Sequence, residues 1–342
     1  MASGFYGVDI GSKNVKIYNS NTKEISCFSN IVAIKDGTMF DYGNGAYEMY
    51  EKTPGNIKCV FPVSDGVITD MNNMIASFEQ YFIMANRPKI VNGGRFLIAV
   101  PTDITEIEKH GFSEVVSDSN IKVKELYVVE RPIAEAVGLG IDINSPNGNM
   151  IINIGGATTE ISILSKGGLV LSKIIKNGGN VFDEAIASAV KKKYNLLIGI
   201  KTAERIKNEI ADVLSSDEDN ELLEMEVYGR NMITGLPSCR SIGSDVVNKA
   251  ISNNLNDIVY NIKTLLDRTP PELIVDIKKN GIFLTGGSSS IKNLDILLSN
   301  ETGFKVNTVR EPGESVVRGV TKIISDPDFK NLMYEPKIPQ YL

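Results

Sequence analysis

The sequence contains only one histidine and three cysteines in 342 residues, which restricts its possible chemistry. The histidine, His110, lies in the charged stretch TEIEKHGF, which is typical of a solvated helix face. A Ser-His-Asp triad and a multi-histidine metal centre are therefore not expected. Cys27, Cys59 and Cys239 are far apart and show no CxxC spacing. We expect reduced thiols in a cytosolic protein, with no disulfide framework and no zinc site.

The sequence also lacks an excess of positive charge and any long apolar run. Its 36 Lys and Arg residues stand against 42 Asp and Glu residues, for a net charge of −6. Without a basic block to neutralise phosphates, nucleic-acid binding is not expected. No apolar run reaches the roughly 18 residues that span a bilayer. The start, MASGFYGVDIGSK, has no basic region followed by an apolar one, so secretion is not expected.

What the chain does contain is an alternation of short apolar segments with helical patterns, which predicts an α/β protein of two or more domains. GFYGVDIGSKNVKIYNS and NMIINIGGATTEISILSKGG both have the pattern of strand, glycine turn and strand. This repetition predicts two related halves. Apolar residues at helical spacing predict helices at 202–214 and 246–267. Asp103 and Glu106 have the spacing of a capping box and predict another helix start.

Glycine turns follow predicted strands at three places. Such turns bring backbone N–H groups close to an anion because no Cβ stands in the way. The sequence has no GxxxxGK[ST] loop and no GxGxxG turn. Phosphate or nucleotide binding is favoured, with ordinary hairpin turns as the alternative. The candidate residues are Asp9, Gly11, Ser12, Lys13 and Asn14 in the first turn, Gly155, Gly156 and Thr158 in the second, and Gly286, Gly287 and Ser288 in the third.

Several longer stretches resemble the MreB family of the actin–Hsp70–sugar kinase superfamily, and the resemblance covers nearly the whole chain. They are RTPPELIVDIKKNGIFLTGG, TAERIKNEI, NVFDEAI, YGRNMITGLP and KTPGNI. The resemblance implies an actin-like ATPase fold of two pseudo-symmetric RNase H-like domains with the nucleotide in the cleft between them. Each domain would carry a smaller subdomain. The expected ranges are 1–145 plus 317–342 for domain I, with its subdomain at about 33–72, and 146–316 for domain II, with its subdomain at about 181–247.

The resemblance also implies ATP or ADP with Mg²⁺ as ligands. Asp9 would hold the hydrated Mg²⁺, and the first hairpin would bind the β- and γ-phosphates. Either Lys13 or Lys16 would meet phosphate, and both alternatives stay open. The second hairpin would grip the phosphates from the other side, with Thr158 among the catalytic residues.

Further residues are implied around the nucleotide. Gly178 and Gly179 resemble a turn that closes over the phosphates, and an ordinary strand-to-helix connection is the alternative. Glu204 and Lys207 would reach the ribose and base, with a surface salt bridge as the alternative. The third glycine turn would lie along the adenosine.

Two positions depart from the family pattern where the chemistry would occur. Asn153 begins the second hairpin in place of an aspartate, and an amide can neither take a proton nor offer full charge to Mg²⁺. Arg131 replaces the glutamate that orients the attacking water in the relatives, and the neighbouring Glu130 should point elsewhere. Losing such a group typically costs about 10²–10⁴ in rate. We therefore expect retained ATP binding with slow or absent hydrolysis. Arg131 would either lie near the γ-phosphate or pair with Glu130 or Glu135.

For partners, the resemblance implies self-assembly into protofilaments, paired antiparallel, that support cell shape together with wall-synthesis proteins. Ile90 and Val91, flanked by cations in ANRPKIVNGGRF, suit the inner face of an anionic membrane, with a plain hairpin tip as the alternative. A metabolic kinase or chaperone of the same superfamily is disfavoured by the chain length. A hydrolysis-deficient scaffold that modulates a paralogous filament is the alternative function.

Overall fold

The computed structural model describes residues 4–87, 93–214 and 222–337. Contacts between Cα atoms divide the chain into two compact units. The first unit comprises 1–147, 162–174 and 314–342, and the second comprises 148–161 and 175–313. The sequence-based boundaries kept 146–316 in one domain, whereas this division groups residues 162–174 with the first unit. Within the described ranges, no helix is both long and apolar enough to cross a membrane.

The first unit is built on a five-stranded sheet of order β10-β9-β1-β2-β3 and a three-stranded sheet of order β5-β4-β6. Its strands and helices are β1 (Phe5–Ile10), β2 (Asn14–Asn19), β3 (Glu24–Ser29), β4 (Val32–Lys35), β5 (Thr38–Tyr42), α1 (Gly43–Met49), β6 (Ile57–Val60), β7 (Val63–Ser64), β8 (Val67–Ile68), α2 (Met71–Ala85), β9 (Gly93–Val100), α3 (Glu106–Ser117), β10 (Lys122–Glu130), α4 (Arg131–Leu139) and α10 (Ser315–Ser325).

Residues 148–313 form a second five-stranded sheet of order β13-β12-β11-β17-β18 and a smaller sheet of order β14-β15-β16. The elements of this part of the chain are β11 (Asn149–Ile154), β12 (Thr159–Ser165), β13 (Gly168–Ile175), α5 (Gly179–Tyr194), β14 (Leu196–Leu197), α6 (Ile200–Ile210), β15 (Glu224–Asn231), β16 (Pro237–Gly243), α7 (Ser244–Asp267), α8 (Pro271–Asn280), β17 (Ile282–Thr285), α9 (Leu294–Thr302) and β18 (Val306–Thr308).

The two five-stranded sheets repeat one plan. In each, three strands that follow one another in the chain lie side by side, and two later strands extend the sheet beyond the first of them. Strand β1 pairs parallel with β9, as β11 does with β17. The glycine turn follows the innermost strand in both cases, which places it at the carboxyl end of a central strand. This repetition agrees with the two related halves predicted from the sequence.

Aromatic side chains pack around β1 in the sheet of the first unit. All six residues of β1 are buried. The Tyr6 ring lies 4.8 Å from the Phe82 ring of α2 and 5.4 Å from the Phe96 ring of β9. Its hydroxyl donates to Asn86 Oδ1 at 2.8 Å, so the buried phenol is satisfied. Strand β1, which leads into the first glycine turn, is therefore held firmly by its neighbours.

Helix α4 is held against α10 at two glycines. A Cβ on Gly319 would lie 1.6 Å from the carbonyl oxygen of Ala134, and one on Gly138 would lie 2.3 Å from that of Ser315. The two helix backbones touch, so only glycine fits at these positions. This close crossing sets the position of α4 and of Arg131, its first residue.

One predicted helix start is corrected by the structure. The capping box of α3 is formed by Thr105 and Glu108 rather than by Asp103 and Glu106. Asp103 instead accepts a hydrogen bond from the backbone N–H of Ile174 at 3.0 Å. Its carboxylate is therefore engaged elsewhere, and the helix begins at Glu106.

Candidate functional site

The first and second glycine turns are closed by the same backbone hydrogen bond. The N–H of Gly11 donates to the carbonyl of Asn14 at 2.9 Å, and the N–H of Gly155 donates to that of Thr158 at 2.8 Å. A Cβ on either glycine would lie 3.1 Å from the carbonyl oxygen that it faces. Both turns are thus tight loops that present backbone N–H groups, as an anion site requires.

The first turn is held by hydrogen bonds from Asn30, a residue that the sequence analysis did not single out. Asn30 is fully buried, its side-chain amide donates to the carbonyl of Gly11 at 2.8 Å, and its N–H donates to that of Lys13 at 2.8 Å. It lies between β3 and β4, and no sequence motif marked it. Asn30 holds the turn in one conformation.

The second turn is supported by the start of α5. The N–H groups of Gly179 and Asn180 donate to the carbonyls of Gly155 at 3.0 Å and Gly156 at 2.6 Å. Gly178 packs so closely that a Cβ there would lie 2.9 Å from the Gly155 oxygen. Gly178 and Gly179 therefore lie directly against the second glycine turn, and the role expected for them, closing over the phosphates, stays a prediction.

Beneath this contact lies a buried ion pair. Lys207 Nζ is 2.6 Å from Asp183 Oδ1, and these side chains are 5% and 0% exposed. The same ammonium donates to the carbonyl of Gly179 at 3.0 Å. Lys207 thus ties α6 to the start of α5, while Glu204 on the same helix is half-buried. The alternative role predicted for Lys207 was a surface salt bridge with Glu204. The ion pair found here, with Asp183, is instead buried and joins α6 to α5.

The third glycine turn lies against the second glycine turn in the second unit. Gly286 has φ +86°, and a Cβ there would lie 2.6 Å from Asn153 Oδ1, so this position requires glycine. Ser288 donates from its hydroxyl to the Gly155 carbonyl at 3.0 Å. A Cβ on Gly287 would meet no atom within 4 Å, which leaves open space over that peptide. The structure thus brings the second and third turns together.

In the first unit, three charged side chains meet at the first turn. Lys16 Nζ lies 3.6 Å from Asp9 Oδ2, and Arg131 Nε lies 3.7 Å from Asp9 Oδ1. Arg131 also donates from Nη2 to the carbonyl of Ile10 at 3.3 Å. Lys16 stands directly opposite Asp9 in the β1–β2 register. Asp9, Lys16 and Arg131 are called the Asp9 cluster below.

Glu130 points away from this cluster, as predicted. Its carboxylate accepts a hydrogen bond from the Tyr334 hydroxyl at 2.8 Å. Burial, and then the negative charge of Glu130, raise the pKa of Tyr334 above its usual range. Tyr334 also forms a two-way backbone bridge with Val128. Tyr334 therefore holds the side chain of Glu130, the residue before Arg131.

Comparison with known proteins decides the family. The family model described as MreB/Mbl protein matches residues 3–331. The chain belongs to the MreB/Mbl family. Cell shape-determining protein MreB of Escherichia coli K12 is 34% identical over 337 residues, which cover 95% of this chain and 94% of that protein.

Solved structures confirm the actin-like fold. MreB5 of Spiroplasma citri, bound to ADP or to AMPPNP, is 32% identical and superposes with TM-scores of 0.88 and 0.89. These matches cover 96% and 97% of this chain and 98% of each MreB5 chain. A MamK double helical filament is 21% identical, has a TM-score of 0.79 over 94% of this chain and 99% of its own, and shows the shared fold alone.

The second hairpin begins with Asn153, where the resemblance to the MreB family implied an aspartate. Asn153 lies beside Thr285 in the parallel β11–β17 register, and its amide oxygen is near Gly286. Ile90 and Val91, predicted to touch a membrane, lie outside the described residues. The sequence analysis also did not single out Asp183, the buried partner of Lys207.

Proposed function

We propose that this MreB-family chain binds ATP or ADP and assembles into actin-like filaments that support cell shape, with slow or absent ATP hydrolysis. The observation that carries the proposal is the closing hydrogen bond that the first and second hairpins share, with Gly11 and Gly155 as the matching donors. A relative of known structure, MreB5 of Spiroplasma citri, binds ADP and AMPPNP. The E. coli relative is named for determining cell shape.

Nucleotide binding is supported because the turns bind through backbone groups. Their N–H donors do not depend on which side chain precedes the turn, and the supporting contacts of Asn30, Gly178 and Ser288 are all formed. A preformed loop loses little conformational freedom when an anion binds, which favours affinity. We therefore assign phosphate contacts to the glycine turns and adenosine contacts to the open peptide at Gly287.

Slow hydrolysis is supported by the side chains at the two departed positions. The Asn153 amide cannot act as a base. The other departed position is occupied by Arg131, whose guanidinium lies beside Asp9 and cannot accept a proton from water. Removing a positioned acid–base group costs about 10²–10⁴ in rate. The remaining polar side chain, Thr158, lies on the turn itself and can contact phosphate.

Two measurements on the pure protein test the proposal. Electron microscopy with ATP should show filaments, which a metabolic kinase of the same superfamily would not form. Phosphate release should be far below that of E. coli MreB assayed alongside, and Arg131→Glu should raise it, more so when combined with Asn153→Asp. Turnover by the unaltered chain equal to that of E. coli MreB would refute slow hydrolysis, and absence of filaments in all nucleotide states would refute the filament role.

The contact of Arg131 with Asp9 favours a second candidate, a nucleotide-binding scaffold that modulates a paralogous filament. A scaffold needs bound nucleotide for its shape and no turnover. Mixing the chain with another MreB-family protein separates the two functions. A scaffold changes the length or number of the partner's filaments and forms none alone, whereas a filament protein forms them without the partner.

A further inference from the structure

The Asp9 cluster has a charge arrangement that bears on how a nucleotide is held. Both carboxylate oxygens of Asp9 face a cation, with Lys16 on Oδ2 and Arg131 on Oδ1. The side chains of Asp9, Lys16 and Arg131 are 8%, 14% and 13% exposed. Charges so little exposed are weakly screened by salt, so the cluster acts as a fixed charge of +1 at the first glycine turn.

This cluster does not fit a hydrated divalent cation. Mg²⁺ is usually held through its waters by a carboxylate whose negative charge offsets that of the ion. Here the ion would approach a carboxylate whose two oxygens already face positive groups. The matching position of the second hairpin is Asn153, whose amide carries no charge. Within residues 4–87, 93–214 and 222–337, no group of three or more His, Cys, Asp or Glu is arranged to hold a metal.

The same cluster fits a polyphosphate. A guanidinium is planar and permanently charged, and its N–H groups match pairs of phosphate oxygens. Arg131 is the first residue of α4, so the positive end of that helix adds to its field. Lys16 contributes an ammonium on the adjoining strand, close to the turn formed by Gly11 and Asn14.

We propose that this chain binds nucleoside triphosphate without a divalent cation, because Arg131 and Lys16 supply the positive charge that Mg²⁺ would otherwise provide. The inference rests on the nucleotide binding proposed above and adds the ionic form of the ligand. It predicts that metal-free ATP binds at least as well as its Mg²⁺ complex.

The test is calorimetric titration of ATP into the full chain, once with excess EDTA and once with excess MgCl₂. The unaltered chain should bind ATP at least as tightly with EDTA as with MgCl₂. Arg131→Glu should bind ATP at least about tenfold more tightly with Mg²⁺ than with EDTA, and Arg131→Gln should fall between the two proteins. Arg240→Glu is the matched control, since Arg240 is exposed on β16, and it should behave as the unaltered chain does.

A second readout follows the metal itself. Mn²⁺ added to the ATP-loaded chain, after removal of unbound ATP, should show the electron paramagnetic resonance of Mn²⁺ free in solution, and Arg131→Glu should give a distinct protein-bound signal. Binding of ATP by the unaltered chain only when Mg²⁺ is present overturns this inference and leaves nucleotide binding intact. No ATP binding in either buffer overturns the proposed nucleotide binding and this inference with it. The measurement on the unaltered chain decides the matter even if a variant fails to fold.

Discussion

Replacing Asp183 by Asn should destabilise the second unit strongly, because it leaves the Lys207 ammonium buried without its counter-ion. The two groups are 2.6 Å apart and almost without solvent contact. Removing one partner of a buried pair costs about 3–5 kcal/mol. Lys207 keeps its hydrogen bond to the Gly179 carbonyl, so we expect the lower end, about 3 kcal/mol. The loss should also loosen Gly179, which lies against the second glycine turn.

Urea unfolding followed by far-ultraviolet circular dichroism measures this effect. With a slope of about 3 kcal/mol/M, a loss of about 3 kcal/mol lowers the unfolding midpoint by about 1 M. The control is Asp245→Asn, which removes the acid from the exposed pair with Lys193 at 3.6 Å. An exposed pair contributes under about 1 kcal/mol, so the control should shift the midpoint by less than about 0.3 M.

Replacing both partners separates the charge from the packing. An apolar pair of similar volume, Asp183→Leu with Lys207→Met, removes the buried charge and should recover at least half of the lost stability. Equal midpoint shifts for Asp183→Asn and Asp245→Asn would refute the reasoning. So would a double variant that is less stable than Asp183→Asn.

Two further predictions concern other contacts. Burial alone would raise the pKa of Asp212, but hydrogen bonds, first among them that from Lys292, hold its pKa below the usual value. This carboxylate should therefore stabilise the fold above its unfolded pKa of about 3.9 and lose that effect as pH falls through its folded pKa. Asp212→Asn should flatten the acid end of the stability profile, and an unchanged profile would contradict this. Gly319→Ala should cost about 1–3 kcal/mol because its Cβ meets the Ala134 backbone, whereas Gly55→Ala, where the Cβ meets nothing, should be neutral in thermal unfolding.

The repeated elements could be read from the sequence because their signals are local. Alternating apolar residues around a glycine turn define each hairpin, and both hairpins formed. The predicted helices at 202–214 and 246–267 correspond to α6 at Ile200–Ile210 and α7 at Ser244–Asp267. Helix ends were less accurate, since several residues near an end can satisfy the same capping rule and long-range contacts choose among them.

The contacts that join distant parts of the chain could not be read in this way. Lys207 was expected to reach the nucleotide, with an exposed salt bridge to Glu204 as the alternative, and neither expectation included its buried pair with Asp183, which lies in a different helix. Arg131 was expected either near phosphate or on a neighbouring glutamate. Its contact with Asp9 depends on how α4 is set against β1, and that position follows from the α4–α10 glycine crossing.

The two departures from the expected family pattern change the charge of the chain in the same direction. Asn in place of Asp at 153 adds one positive unit relative to the pattern, and Arg in place of Glu at 131 adds two. The chain's own side chains thus shift by three units, more than the charge of one divalent ion. Both turns are closed by a backbone hydrogen bond, 2.9 Å from Gly11 and 2.8 Å from Gly155. The proposed phosphate binding relies on such backbone groups, whereas the proposed loss of hydrolysis relies on the side chains at positions 131 and 153.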